Sequence, residues 1–527
     1  MAGADYVIVG GGINGLVAAA MLGKKGRKAV VLERNDRLGG CLRTEEITAP
    51  GFIHDVMATT LVLFLTSPAY AALGKDLEAR GFAVAHSDLP TGVLRPDGSH
   101  VLFSRDRARN VAAFEACAKG DGEAFAEEME RMGADAPFLF SLLGGALWSR
   151  HMAMGLAREA WKRGPRALAA WFGEALQPAR SYLETTYASE AIHALWAPWG
   201  LHCGLNPESA YSAQMIKVIA FAVELAGCPI AVGGAKNLVS AFERLILDQG
   251  GDIRCDAEVE RLELSASGRA RAVRLASGER IEAERGVICS MGPNQLYGRL
   301  LRDHPLPSAV ARSLKRYRYG KGDMQIHYAL DAPPKWKSGD ELGKVALLHV
   351  TPGLDGVSRA ANECERGLLP AEPTICVGQP TALDPSRAPP GKAILWLQLP
   401  EAPRFPKGDA AGEIAIPEGG RWTEAVREAF ADRVEGLFSR HIDDFRSHVV
   451  ARKAYSPADL EKMNVNLVGG DPYGGYCGVD QFFLWRPFAG STNHTTHVPG
   501  LYHIGASTHP GPGLSGGSGF LLANSLK

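Results

Sequence analysis

Tyr6-Val7-Ile8-Val9-Gly10-Gly11-Gly12-Ile13-Asn14-Gly15, near the start of the chain, decides the fold. The four leading residues read as a buried strand, and Gly10, Gly12 and Gly15 fit the spacing G-x-G-x-x-G. Leu16, Val17, Ala20 and Met21 continue with helical spacing, and a second apolar strand, Ala29-Val30-Val31-Leu32, ends at Glu33. Each residue has a physical task in a strand–turn–helix that binds a dinucleotide. Gly10 permits the tight turn, Gly12 lets backbone approach a pyrophosphate, and Gly15 lets helix pack closely on strand. The helix N-terminus, with Ile13 and Asn14 in its first turn, offers free N–H groups to phosphate. Glu33, followed by Arg34, stands where an acid accepts hydrogen bonds from the adenosine ribose. The same carboxylate repels a 2′-phosphate, which disfavours NADP.

Arg37-Leu38-Gly39-Gly40-Cys41-Leu42-Arg43-Thr44 follows at once. Farther on come Gly233-Gly234-Ala235-Lys236-Asn237-Leu238, a strand opening at Val259, and Gly286-Val287-Ile288-Cys289-Ser290. The C-terminus carries Gly505-Ala506-Ser507-Thr508-His509-Pro510-Gly511-Pro512-Gly513-Leu514-Ser515-Gly516-Gly517. On these segments the chain resembles the FAD-dependent phytoene desaturase and amine oxidase superfamily. Pro50-Gly51-Phe52, Gly469-Gly470-Asp471-Pro472 and Arg486-Pro487 resemble its bacterial phytoene dehydrogenase-related branch. The resemblance implies FAD as cofactor, with Gly39 and Gly40 bringing backbone close to it. Cys41 stands where the usual form has Arg, and Arg43 is the candidate to take over that role. Val259 is expected against the adenine through its backbone. Gly505, Pro510, Gly511, Gly513, Leu514, Ser515 and Gly516 are expected beside the flavin. A helix starting near Ser515 would stabilise negative charge on the reduced ring. No second G-x-G-x-x-G follows a strand, so a built-in NAD(P)H domain has no support.

The predicted fold is α/β: a Rossmann-type, GR2-like FAD-binding domain assembled from three segments, 1–65, 228–300 and 498–527. Between them, 66–227 and 301–497 form an interleaved α+β substrate domain with a mixed or antiparallel sheet, 66–227 being mainly helical. Residues 322–330 alternate apolar and polar, the period of a half-buried strand; 393–399 is a continuous apolar strand. Residues 422–438 carry helical spacing, and the Pro-rich stretch 384–391 reads as a loop.

Composition narrows the function classes. Of 527 residues, 46% are hydrophobic and 22% charged, which excludes a mainly disordered chain. Lys+Arg is 57 against Asp+Glu 58, so no basic excess drives nucleic-acid binding. The nine cysteines form no CxxC pair, no metal-ligand spacing occurs, and no metal is expected. No apolar run reaches the roughly 18 residues of a spanning helix, and a removable leader would cut into the first strand. The expected location is cytoplasmic. Peripheral membrane contact stays open, because Trp148, Trp161, Trp171, Phe172, Trp196 and Trp199 crowd the helical insert beside Lys162, Arg163 and Arg166. Lining of an apolar tunnel and ordinary helix packing are the other readings of this cluster.

Candidate catalytic residues are His509, His54, Asp55 and His202, each with a purely structural alternative. Asp471, Tyr473, Tyr476 and Asp480 form a polar stretch that either faces the cavity or lies in an exposed loop. The resemblance implies hydride removal from an apolar small molecule, with carbon–carbon desaturation first and amine or alcohol oxidation second. A flavin-bearing interaction protein with little turnover and a redox-neutral isomerase are further readings. The electron acceptor, whether oxygen, a quinone or a protein, is not written in the sequence.

Overall fold

Strand Ala4–Val9 is buried on both faces because it is the middle of a parallel array. The structure, a computed structural model, describes residues 4–527; residues 1–3 of the first predicted segment lie outside the described residues. Ala29–Leu32 pairs with the strand on one side and Arg280–Ser290 on the other, both parallel to it. Asp252–Arg254 and Leu501–Ile504 extend the array at its two edges. Arg280–Ser290 is long enough to serve two neighbourhoods. Its second half joins the parallel array, while its first half pairs antiparallel with Ala270–Leu275, which pairs with Val259–Leu264.

Helices Ile13–Lys24, Lys236–Asp248 and Gly517–Ser525 pack on this sheet. Their closest approach depends on small residues. A Cβ at Gly519 would lie 2.0 Å from the Asn14 carbonyl oxygen, and one at Gly516 would lie 2.5 Å from Val17. The C-terminal helix starts at Gly517 rather than near Ser515, because Gly516 takes a positive φ of 68° and caps it from outside. Helix Pro68–Glu78, which falls in the first predicted insert, sends Leu73 and Leu77 into this same core beside Phe64 and Phe242.

The second sheet is mixed, as expected. Its order is Val449–Tyr455, Gly322–Leu330, Ala393–Ala402, Ile375–Gly378, Leu347–Val350, Thr91–Leu94, His100–Phe103. The last two strands come from the otherwise helical first insert, and Thr91–Leu94 pairs parallel with Leu347–Val350 in an otherwise antiparallel sheet. Gly322–Leu330 differs from the half-buried strand predicted: every residue is buried. Met324, Ile326 and Tyr328 pack toward helix Glu424–Phe438 through Phe430, Val434 and Phe438. The alternate residues Asp323, Gln325 and His327 occupy the opposite face, which is also shielded from water. The period of two therefore separates an apolar core from a polar one. It does not separate core from solvent.

One carboxylate joins the segments. Asp55, on the two-residue strand His54–Asp55, accepts from Thr44 Oγ1 at 2.6 Å, from the Ala235 N–H at 2.9 Å and from Arg387 Nη2 at 2.7 Å. The side chains of Asp55 and Arg387 are both fully buried. Arg387 lies in the stretch read as a plain loop, in the short turn Pro385–Arg387, and its Nε also donates to the Ile53 carbonyl at 3.1 Å. Replacing Arg387 with Met would strand the Asp55 charge inside the protein, which costs about 3–5 kcal/mol. The expected result is a urea midpoint lowered accordingly; an unchanged midpoint would show that the pair does not hold the segments together.

Candidate active site

Two glycines of the fingerprint serve the protein's own packing. Gly10 has φ of 103°, and a Cβ there would meet the Ser290 carbonyl at 2.7 Å. A Cβ at Gly15 would lie 2.2 Å from the Gly10 carbonyl oxygen. Gly12 differs, since no atom of the described residues lies within 4 Å of where its Cβ would stand. Its missing side chain serves nothing inside the protein and leaves open space at the N-terminus of helix Ile13–Lys24. This is the cradle a pyrophosphate requires, and the residues present fit the dinucleotide.

The acid at the end of the second strand has a task of its own. Glu33 is buried; its Oε2 accepts from the Gly11 N–H at 2.9 Å and its Oε1 from the Asn35 N–H at 3.0 Å. Burial raises its carboxyl pKa in spite of these bonds. Arg34 sits 4.0 Å from Glu258, beside the opening of the strand at Val259. The Val259 carbonyl accepts from Arg299 Nη1 at 3.0 Å.

The R-x-G-G segment crosses directly over the fingerprint. The Gly39 N–H donates to the Gly11 carbonyl at 2.9 Å, and a Cβ at Gly40 would lie 3.3 Å from Gly12 Cα. Cys41 brings no charge, because burial pushes its thiol up to about 11. Arg43 is held by Glu45, which also binds Arg37 at 3.0 Å, so its cation is already paired. The C-terminal segment is fastened to the fingerprint by Ser518, which no motif in the sequence marks out. Its hydroxyl accepts from the Gly505 N–H at 2.9 Å and donates to Asn14 Oδ1 at 2.8 Å. In the same segment Ser515 Oγ accepts from the Gly517 N–H at 3.1 Å. Leu514, Gly511 and Gly513 all take positive φ, and Pro510 packs where a Cβ on Gly517 would be.

The four catalytic candidates are not brought together. Asp55 is committed to the buried junction described above. His509 bonds through Nε2 to the Gly145 carbonyl at 2.8 Å, tying the C-terminal loop to the end of insert helix Asp121–Gly144. Burial pushes its imidazole down to about 4, so it is neutral. His54 bonds to Thr48 Oγ1 at 2.7 Å and stands edge-on to His327, ring centroids 5.3 Å apart. His202 meets His349 instead, Nε2 to Nε2 at 2.9 Å. Burial lowers His54 to about 2, His327 to about 3 and His202 to about 4. Asp471 accepts from the N–H groups of Gly320, Tyr473 and Gly475, which makes it a loop organiser. The Tyr473 hydroxyl donates to the Leu201 carbonyl, Tyr476 stacks under Arg318, and Asp480 is an exposed partner of Arg318.

The polar face of the second sheet holds groups that motif reading passes over. Gln325, Gln398, Cys376 and His349 stand opposite one another on successive strands, in one line across the sheet. Gln325 donates to the Met57 carbonyl at 2.8 Å and accepts from Trp396 Nε1 at 3.0 Å, so this face abuts the segment following R-x-G-G. Asp323 Oδ2 accepts from Gln325 and Gln398 at 3.0 and 3.2 Å, while its buried Oδ1 has no partner among the described residues. Burial raises this carboxyl to about 7. His54 Nδ1 is likewise buried with no partner among the described residues, and the buried His327 ring has the Val56 backbone beside it. The signal was present in the sequence: Asp, Gln and His at every second position of an otherwise apolar strand.

Two tests follow from this geometry. Gly12→Asp is expected to fold with an unchanged circular dichroism spectrum yet purify without flavin; full flavin content would remove the pyrophosphate assignment. For Asp323 the sign is set by its raised pKa. At pH values between the ordinary 3.8 and about 7 the folded protein keeps a proton that the unfolded chain has lost, so stability falls as pH rises and the penalty persists above 7. Asp323→Asn is therefore expected to melt above the parent at pH 8, the difference fading toward pH 4. A pH-independent difference would contradict the raised pKa.

The chain matches the family of flavin containing amine oxidoreductases over residues 13–451. It is 26% identical to pyridine nucleotide-disulfide oxidoreductase domain-containing protein 2 of Mus musculus, covering 98% of this chain and 92% of the relative. A limonene dehydrogenase component from Castellaniella defragrans is 26% identical, with 99% and 94% covered. The neurosporene-forming phytoene desaturase of Rhodobacter capsulatus is 24% identical, with 99% and 93% covered. Among solved structures, an oxidoreductase from Methanosarcina mazei aligns with a TM-score of 0.61 at 16% identity, covering 99% and 100%. Putrescine oxidase bound to putrescine aligns at 0.59 and 16%, covering 99% and 98%. These structural likenesses show the fold. The family match spans most of the chain, and its glycine cradle fits the cofactor: the protein belongs to the flavin containing amine oxidoreductase family and is an FAD-dependent oxidoreductase.

Proposed function

We propose that this oxidoreductase removes hydrogen across a carbon–carbon bond of a neutral, apolar organic molecule. The observation that carries the reading is the character of the buried polar face. His54, His202 and His327 are held neutral by burial, and burial raises the carboxyl of Asp323 on this face to about 7. A face built mainly from amides, neutral imidazoles and Trp396 suits an uncharged substrate. Phytoene and limonene, the compounds in two relatives' names, are hydrocarbons of this kind.

FAD, when bound, supplies the two-electron acceptor for a hydride. The chain's own part is to orient the substrate, exclude water and take up the remaining proton. Asp323 Oδ1 is suited to that last task, because it is buried, free of donors among the described residues and half-ionised near pH 7. The same free oxygen favours a second reading, a substrate that presents a hydroxyl or amine hydrogen to it.

Among the described residues no helix is long and apolar enough to cross a membrane. The tryptophans that crowd the insert in sequence divide in space: Trp196 and Trp199 are buried, while Trp161 is 90% exposed and Trp148 55% exposed. Met154, Phe172 and Leu176 are also exposed on these helices, beside Arg158 and Arg166. We read this side as a contact with an anionic bilayer surface, from which an apolar substrate is drawn.

The test is anaerobic bleaching of the flavin absorbance by a lipid-soluble and a polar cell-extract fraction. Bleaching by the lipid fraction, at a rate rising through pH 7, is the expected result. Bleaching by the polar fraction alone would turn the assignment to amine or alcohol oxidation, and bleaching by neither would favour a flavin-bearing interaction protein. With the lipid fraction held in anionic vesicles, Trp161→Ala is expected to slow bleaching, and to leave the rate unchanged when the fraction is dispersed in detergent. Equal rates from vesicles would remove the membrane contact.

A further inference from the structure

Where the helical insert meets the polar face of the second sheet, three side chains with metal-binding atoms converge from distant parts of the chain. His202 caps the C-terminus of helix Glu190–Leu201, His349 lies on strand Leu347–Val350, and Cys376 lies on strand Ile375–Gly378. The two Nε2 atoms are 2.9 Å apart, and one donor atom from each of the three residues lies within 4.8 Å of the others. We propose that His202, His349 and Cys376 form a binding site for one borderline-soft divalent cation of the zinc type.

The sheet itself sets two of the three donors. His349 and Cys376 are directly opposite each other on an antiparallel pair, so their side chains leave the same face side by side. The third arrives from the C-terminal end of a helix, where the backbone dipoles place partial negative charge, which favours a cation. Trp199 packs against both imidazoles, with ring centroids 4.7 Å from His202 and 5.2 Å from His349, and limits their tilt. His349 Nδ1 is buried with no partner among the described residues, so the ring is held there by its Nε2 contact with His202 alone, the contact that a bound ion would replace.

The donor chemistry selects the ion. Two imidazole nitrogens and a sulfur suit zinc, cobalt or copper, and they do not suit magnesium or calcium, which require oxygen ligands. In a tetrahedral zinc site with bonds of about 2.0–2.3 Å, neighbouring donors stand roughly 3.3–3.6 Å apart, so small side-chain rotations suffice here. Three protein donors leave a fourth coordination position for water or a ligand oxygen. Entry is from the side of His202, which is partly exposed, while His349 and Cys376 are fully buried. A bound ion would clamp the insert onto the sheet. The site does not rest on the reaction proposed above.

The test uses the FAD-loaded protein, stripped with chelator, exposed to zinc(II) or cobalt(II) alone and dialysed. The expected result is one metal per chain, a higher melting temperature with zinc, and cobalt ligand-field bands to the red of the oxidised flavin absorption. Cys376→Ser is expected to abolish the thiolate–cobalt charge-transfer band, and His202→Gln to weaken binding at least about tenfold. No metal retained by the parent protein overturns the proposal and leaves the two histidines as a hydrogen-bonded pair. Unchanged stoichiometry and spectra in both variants overturn it as well, by placing the metal elsewhere.

Discussion

A carboxylate without access to water must be satisfied entirely by the protein, and Asp55 is satisfied by donors from three other stretches of chain. Thr44 follows the R-x-G-G segment, Ala235 opens helix Lys236–Asp248, and Arg387 belongs to the second insert. Thr44 in turn accepts from the Lys236 N–H at 2.9 Å, and Asp384 accepts from the Gly233 N–H at 2.7 Å. The glycine pair at 233 and 234 permits this crowding, since a Cβ on Gly234 would lie 2.4 Å from Thr44. Moving any one of these stretches pulls a donor away from a buried charge, which is costly. The buried Asp55–Arg387 pair thus helps fix the relative placement of the two sheets, together with the Gly233–Asp384 and Met57–Gln325 bonds.

That placement creates the polar face. On this face the protein buries Asp323, Gln325, His327 and His349, with Gln398 half-buried beside them. Such groups are costly in a core unless they are paired or serve a ligand. The glutamines are paired, to Met57, Trp396 and Asp323. Asp323 Oδ1, with no partner among the described residues, lies on the face that abuts the cofactor-binding segment, and His327 stands beside it. The same burial holds the His327 imidazole neutral and raises the Asp323 carboxyl to about 7. A site of this kind discriminates by shape and by a few hydrogen bonds, with charge playing little part.

The legible part of this protein is local. G-x-G-x-x-G, the acid at Glu33, the R-x-G-G turn and the glycine-rich C-terminus are each continuous in sequence, and each carries its reason in backbone geometry. Gly10 and Gly15 must be glycine for their own neighbours, and Gly12 for its ligand, so the spacing alone identified the cradle. Helix Glu424–Phe438 was legible from its helical spacing and strand Ala393–Ala402 from its continuous apolar run. His54, Asp55, His202 and His509 stand out in the sequence as unusual residues, but proximity to a motif does not say which way a side chain faces. Asp55 turns to Arg387, His509 to Gly145, and His202 to His349.

The sequence by itself determined the cofactor cradle, the family and the order of the elements, because these depend on residues within one turn or one strand of each other. Only the tertiary structure decided what faces what. The alternation at 323–330 fits a strand with one face in water and a strand with two different cores equally well. Its neighbours on both edges and both faces make it the latter. Arg387 read as part of a loop and became a fully buried cation. His202, His349 and Cys376 have no spacing to betray them, since they come together across two sheet strands and a helix end. Contacts between residues far apart in the chain are set by packing, and packing is a property of the whole fold.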